Sequence, residues 1–118
     1  SEIAAAAIRD SDARMGEVDV VLAPTMAITP PDIETAASGK QYFEANMGML
    51  RNTAPVNLLR LCAVSLPVAL DGERMPVGLQ VIAPYGEDER ALSVACALER
   101  TLGTARQRLG VPPLCRGR

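Results

Sequence analysis

Residues 53–84 read TAPVNLLRLCAVSLPVALDGERMPVGLQVIAP, and this run decides the fold. It opens as a helix start. Thr53 suits an N-cap, and Pro55 is tolerated in the first turn, where its missing N–H has no intrahelical acceptor. Residues 63–70 then alternate, with Val64, Leu66, Val68 and Leu70 on one face. The other face carries Ala63, Ser65, Pro67 and Ala69, small enough for a helix to pack closely. Pro67 cannot donate to a ladder, which predicts an edge strand or a local irregularity there. Asp71-Gly72 marks a turn longer than the tightest two-residue hairpin, and 77–83 is the returning strand.

Upstream of this run, residues 2–15 are Ala-rich with apolar residues near helical spacing, and they predict a helix closed at Gly16 by a left-handed glycine. Residues 18–23 (VDVVLA) form a nearly continuous apolar run, the pattern of a buried strand, ended by Pro24. Thr25 to Gly39, with Pro30, Pro31 and Ser38, reads as loop. Phe43, Met47 and Leu50 recur at i, i+4 and i+7, predicting a helix over 40–51 that Gly48 weakens by about 1 kcal/mol relative to Ala. Downstream, Glu87, Asp88 and Glu89 place negative charge where a helix dipole favours it. Ala91, Val94, Ala95, Leu98 and Leu102 line one face of that helix and Gly103 stops it. Residues 104–118, with four arginines and Pro112-Pro113, read as an extended tail. The whole is an α/β arrangement, about three strands flanked by helices, in a single segment spanning 1–118. The connection from the 18–23 strand to the 63–70 strand is long enough for parallel pairing with a right-handed crossover.

Composition removes several function classes. A net charge of −2 offers no basic field for nucleic acid or anionic lipid. No stretch approaches the ~18 apolar residues of a membrane helix. Three separated cysteines, odd in number and without a C-x-x-C, predict reduced thiols and a cytoplasmic setting. The absence of histidine excludes Ser-His and Cys-His pairs and common zinc sites, so neither a metal nor a cofactor is expected. Lys40, the one lysine, reads as a surface residue, since a lowered lysine pKa requires burial. None of the five serines is adjacent to another, and Ser65 has no general base nearby in sequence. Asn57 and Gln80 sit among apolar residues. They read first as buried amides that satisfy backbone groups left unpaired by Pro24 and Pro55, and second as amides facing a cleft.

Taken in order, D-V-V-L-A-P-T at 19–25, T-x-P-x-N at 53–57, S-x-P at 65–67, P-x-G-L-Q at 76–80 and the acidic helix start at 87 resemble the C-terminal third of the amidase signature family. Arg60 and Cys62 stand where the common pattern of that family has Gly and Pro. The resemblance implies a mixed-sheet fold and hydrolysis or transfer of amide bonds by a Ser–cis-Ser–Lys triad. That triad belongs to a Gly/Ser-rich segment not present in this sequence, so no catalytic residue is expected here. It also implies that Thr25, Asn52 and Thr53 approach a substrate pocket. Some amidotransferase-like members carry an acidic substrate-recognising residue three positions before the threonine; Leu50 at that place argues against recognising a glutamine side chain in that manner. Two functional expectations follow. One is a C-terminal fragment of an amide hydrolase, inactive alone, whose partner is the missing N-terminal portion; Ser1 in place of methionine leans that way. The alternative is a stand-alone α/β module that associates with itself or a partner through exposed strand edges.

Overall fold

The computed structural model describes residues 1–37 and 39–115; Ser38 and the tail arginines at 116 and 118 lie outside the described residues. The elements are α1 (Glu2–Met15), β1 (Val21–Pro24), α2 (Ile33–Ala36), α3 (Gly39–Leu50), α4 (Ala54–Leu58), β2 (Cys62–Leu70), β3 (Pro76–Ala83), α5 (Asp88–Leu102) and α6 (Ala105–Leu109), followed by a 3₁₀ turn at Pro113–Cys115.

The β2–β3 hairpin forms as its sequence dictates. Asp71 organises the turn by accepting from the backbone N–H groups of Glu73 and Met75 at 2.9 and 2.8 Å. Pro67 sits on an edge strand and the register shifts between Pro67 and Ala69, leaving Val68 as the extra residue of a bulge.

The sheet order is β1-β3-β2, and both pairings are antiparallel. This corrects the parallel pairing expected between the first two strands: they share a direction but lie on opposite sides of β3. β1 is also a correction in burial. Val21 and Leu22 are 39% and 49% exposed, since β1 is an edge strand and α5 packs on β2 and β3.

The pleat separates two faces. Cross-strand partners share a face, so Val64, Leu66, Leu79 and Val81 lie together, and α5 packs on β2 and β3 there. Ala91 and Ala95 of α5 and Val81 and Ala83 of β3 are buried, giving a close contact built on small side chains. The opposite face carries Ala63, Ser65, Gln80 and Ile82. The small residues of β2 therefore face away from α5, and Ala63, Ser65 and Pro67 are exposed rather than covered by a helix. A second small core lies on this face, where Met15, Val56 and Ile82 pack with Ala23 and Leu61.

Two further expectations change. Gly16 closes α1 at φ −68°, a right-handed conformation open to any residue, so no left-handed cap is formed there. The tail is not an extended arm over its first part. Thr104 and Gln107 form a reciprocal capping box that starts α6, and α6 packs on β2. Gly103, at φ +89°, ends α5 as expected. No helix among the described residues is long and apolar enough to cross a membrane.

Candidate functional site

Three backbone segments converge on the face of the sheet that α5 leaves open. The end of β1 brings Pro24 and Thr25, the α3–α4 junction brings Asn52 and Thr53, and the strands supply Ser65, Gly78 and Gln80. Their contacts follow from the register. Ser65 lies directly across from Gln80 on β3, and Pro67 across from Gly78. Thr25 continues past β1, its N–H donating to the Gly78 carbonyl at 2.8 Å.

Thr25 and Ser65 come from the two strands that flank β3, yet their hydroxyl oxygens are 2.6 Å apart. They meet above Gly78. A Cβ on that glycine would stand 2.7 Å from Thr25 Oγ1, 2.9 Å from Ser65 Oγ and 3.0 Å from Thr25 Cβ. The glycine of P-x-G-L-Q is thus required by close approach rather than by backbone conformation.

Behind the hydroxyl pair lies an amide network. Gln80 is 3% exposed, and its Nε2 donates to the Asn52 carbonyl at 3.0 Å and the Pro24 carbonyl at 3.4 Å. Asn52 Nδ2 donates to the same Pro24 carbonyl at 2.9 Å. These bonds tie the P-T loop, the α3–α4 junction and the central strand into one unit. The backbone-satisfying role expected of a buried amide is therefore performed by Gln80, as read from the sequence, and by Asn52. Asn57 is a correction: its side chain is exposed on α4, because α4 turns that position outward while Val56 takes the buried one. Thr53 occupies the N-cap position of α4 without capping it; its hydroxyl donates back to the Leu50 carbonyl at 3.5 Å.

The result is a concavity of 240 Å³ in which Thr25, Thr53, Asn57, Ser65 and Gln80 surround an apolar floor of Val56 and Leu61. Of the three residues expected to approach a pocket, Thr25 and Thr53 line it, and Asn52 supports it from behind. Ser65 lines it without having been assigned to it by sequence reasoning, and Gly78, beneath the Thr25–Ser65 pair, was not singled out either. A larger groove of 540 Å³ lies between α6 and the turn end of the hairpin, lined by Leu70, Pro76, Leu109 and Pro112 together with Arg74 and Arg106. Apart from these two arginines its lining is apolar, and it lacks the hydroxyl and amide set that converges on the smaller concavity, so it is the weaker candidate for a specific site.

The remaining chemistry-bearing residues fall outside the concavity. Lys40 is 89% exposed beside Glu44 at 3.9 Å. Glu87 pairs with Arg90 at 3.4 Å at the start of α5, and no group of acidic or cysteine residues among the described residues could hold a metal ion. Cys62, Cys96 and Cys115 are unpaired thiols.

A family model described as Amidase matches residues 1–92. Among curated proteins, the chain is 41% identical over 98 residues to a 2-amino-5-chloromuconic acid deaminase of Comamonas testosteroni, covering 83% of this chain and 21% of that protein. It is 38% identical over 94 residues to a fatty acid amide hydrolase of Medicago truncatula, covering 78% and 16% respectively. Among solved structures, 6-aminohexanoate cyclic dimer hydrolase complexed with substrate superposes with a TM-score of 0.69 at 27% identity, over 88% of this chain and 25% of that one. The chain thus spans only 16% to 21% of the length of these two curated relatives.

Proposed function

This chain belongs to the amidase family, and on that premise we propose that it is the C-terminal portion of an amide hydrolase, supplying one wall of the substrate cleft and none of the triad. The observation that carries this reading is the join at the Pro24 carbonyl. Asn52 and Gln80 both donate to it, and so hold Thr25 and Thr53 on the same open face of the sheet. A preorganised wall of this kind positions substrate without itself forming bonds. Chemistry by the family's Ser–cis-Ser–Lys triad needs two serines and a buried lysine. The sequence has no adjacent serines, and its single lysine is in solvent. The relatives' names point to unlike substrates, among them fatty acid amides and a cyclic aminohexanoate dimer, so the proposal extends to the amide bond and not to the groups around it. Three unpaired thiols support a cytoplasmic setting.

The test is an amidase assay on the purified 118-residue chain, with circular dichroism to establish that it is folded. Ammonia or carboxylate release from simple aliphatic and aromatic amides is expected to match the buffer blank. Sustained turnover by a preparation free of any larger amidase would overturn the reading.

A second reading rests on the open edges of β1 and β2: a module that pairs with itself or another protein by adding strands. It is favoured by the exposure of Val21 and Leu22 on the β1 edge.

A further inference from the structure

Arg74 stands at φ +65° in the hairpin turn, in the left-handed region that is costly for a residue bearing Cβ. The turn imposes this conformation. The Arg74 N–H donates to the Asp71 carbonyl at 3.0 Å, and the Asp71 carboxylate binds the N–H groups of Glu73 and Met75 on either side. Arg60, also at positive φ, lays its guanidinium over Tyr85. Arg74 has no such contact: among the described residues its side chain makes no ion pair, hydrogen bond or ring contact. Backbone strain held in place around an unengaged side chain points to a ligand for that side chain.

Arg106 lines the same groove from α6, which the Thr104–Gln107 capping box starts and which packs on β2. Its guanidinium is likewise unpaired among the described residues. No acidic side chain among them lines the groove. The imbalance extends along the sequence, since residues 100–118 hold five arginines and no Asp or Glu although the chain carries a net charge of −2. Two cations thus face one space without a counter-charge, an arrangement that an anion relieves.

Between the arginines the walls are apolar, built by Leu70, Pro76, Leu109 and Pro112. The volume of 540 Å³ falls within the roughly 300–1,000 Å³ of small-molecule sites. No aromatic side chain lines the groove, so it offers no stacking platform for a nucleobase. A ligand suited to it has an apolar body and an anionic head. A carboxylate head brings one charge and leaves the second arginine uncompensated. A phosphomonoester carries about −1.5 to −2 at pH 7, and arginine pairs with phosphate through two parallel hydrogen bonds. We propose that this groove binds a small phosphomonoester with an apolar body, its phosphate held by Arg74 and Arg106 and its body against Leu70 and Leu109. The groove shares no lining residue with the concavity of Thr25 and Ser65, so its failure would leave the amide-hydrolase reading intact.

The test is titration of the ¹⁵N-labelled 118-residue chain with n-hexyl phosphate, followed by amide shifts. Saturable shifts centred on Leu70, Arg74, Arg106 and Leu109 are expected. Inorganic phosphate, hexanol and hexanoate, which each lack part of the match, are expected to bind at least about fivefold more weakly. Arg74→Gly relieves the backbone and removes the guanidinium. It is expected to unfold in urea at or above the wild-type midpoint while binding at least about fivefold more weakly. Arg106→Glu puts an acid in the first turn of α6, where the helix dipole favours it, and is expected to abolish binding with the fold intact. Absence of saturable shifts with hexyl phosphate, an equal response to hexanol or hexanoate, or unchanged binding in either variant would overturn the proposal.

Discussion

At position 60 the backbone stands at φ +62°, in the left-handed region that favours glycine, and the residue is arginine. The departure from the amidase pattern that is visible in the sequence is thus a departure in conformational cost, about 1–2 kcal/mol for a side chain bearing Cβ. Arg60 recovers part of it by laying its guanidinium 4.5 Å from the centroid of Tyr85, a contact worth about 0.5–1 kcal/mol at an exposed site. Both Arg60→Gly and Arg60→Ala remove that contact, and only glycine relieves the backbone. The glycine variant is therefore expected to be about 1 kcal/mol more stable than the alanine variant in urea unfolding. Equal stabilities would show that the turn is not strained. Gly78 tests the opposite case, a glycine needed for space. In Gly78→Ala the serine hydroxyl can rotate away, but Thr25 Cβ, 3.0 Å from the new methyl, is fixed by the Thr25 N–H bond to the Gly78 carbonyl. A loss of about 1–3 kcal/mol in urea unfolding is expected. Wild-type stability would mean that the hydroxyl bridge adjusts freely.

At the scale of elements, what the sequence conveyed was local. The hairpin, α3 and α5 follow from periodicity, turn residues and helix-end charge, all of which act within a few residues. Pairing partners are decided elsewhere. Nothing in VDVVLA says that the strand joins β3 rather than β2, and the register that sets Ser65 across from Gln80 depends on the bulge at Val68 and a five-residue turn. The contact between Thr25 and Ser65 spans forty positions and passes over a third strand, so no spacing rule reveals it. Asn52 and Asn57 differ in the same way. Both are polar residues beside a proline-rich corner, yet Asn52 reaches the Pro24 carbonyl from the junction before α4, while Asn57 is exposed on α4 itself. One local signal goes beyond the sequence reading above. T-x-x-Q at 104–107 is a capping-box pattern, inside the stretch whose arginines and prolines read as an extended tail. Thr104→Ala removes the hydroxyl that accepts from the Gln107 N–H at 3.3 Å. It is expected to cost about 1 kcal/mol locally and to raise amide hydrogen exchange across 105–109 while leaving α5 protected. Unchanged exchange would mean that packing on β2 holds α6 without its cap.

The whole molecule is a slab with principal extents of 50 × 42 × 23 Å. A compact monomer of 12.5 kDa should expose about 6,200 Å², and this chain exposes 8627 Å². Its radius of gyration is 16.8 Å, against about 13.5 Å for a compact domain of the same length. The excess includes large apolar side chains. On α3, Ala45, Asn46, Gly48 and Met49 are the part-buried positions, with Gly48 against Ile28, while Phe43, Met47 and Leu50 are 63%, 52% and 43% exposed. On β1, Leu22 lies on the α5 side of the sheet but beyond the reach of α5. A monomer seldom leaves this much apolar surface in water without a partner. The fold has one layer of helix on one face and a polar, part-open second face, which is the arrangement expected of the end of a larger sheet. The measurement that tests this most directly is a native mass spectrum of the protein isolated from its own cells under gentle lysis. The account predicts that the 118-residue sequence is found within, or bound to, amidase polypeptide totalling about four times its mass, since the 98 residues that match the Comamonas deaminase are 21% of that protein. An uncomplexed species of 12.5 kDa that stays dispersed would contradict it.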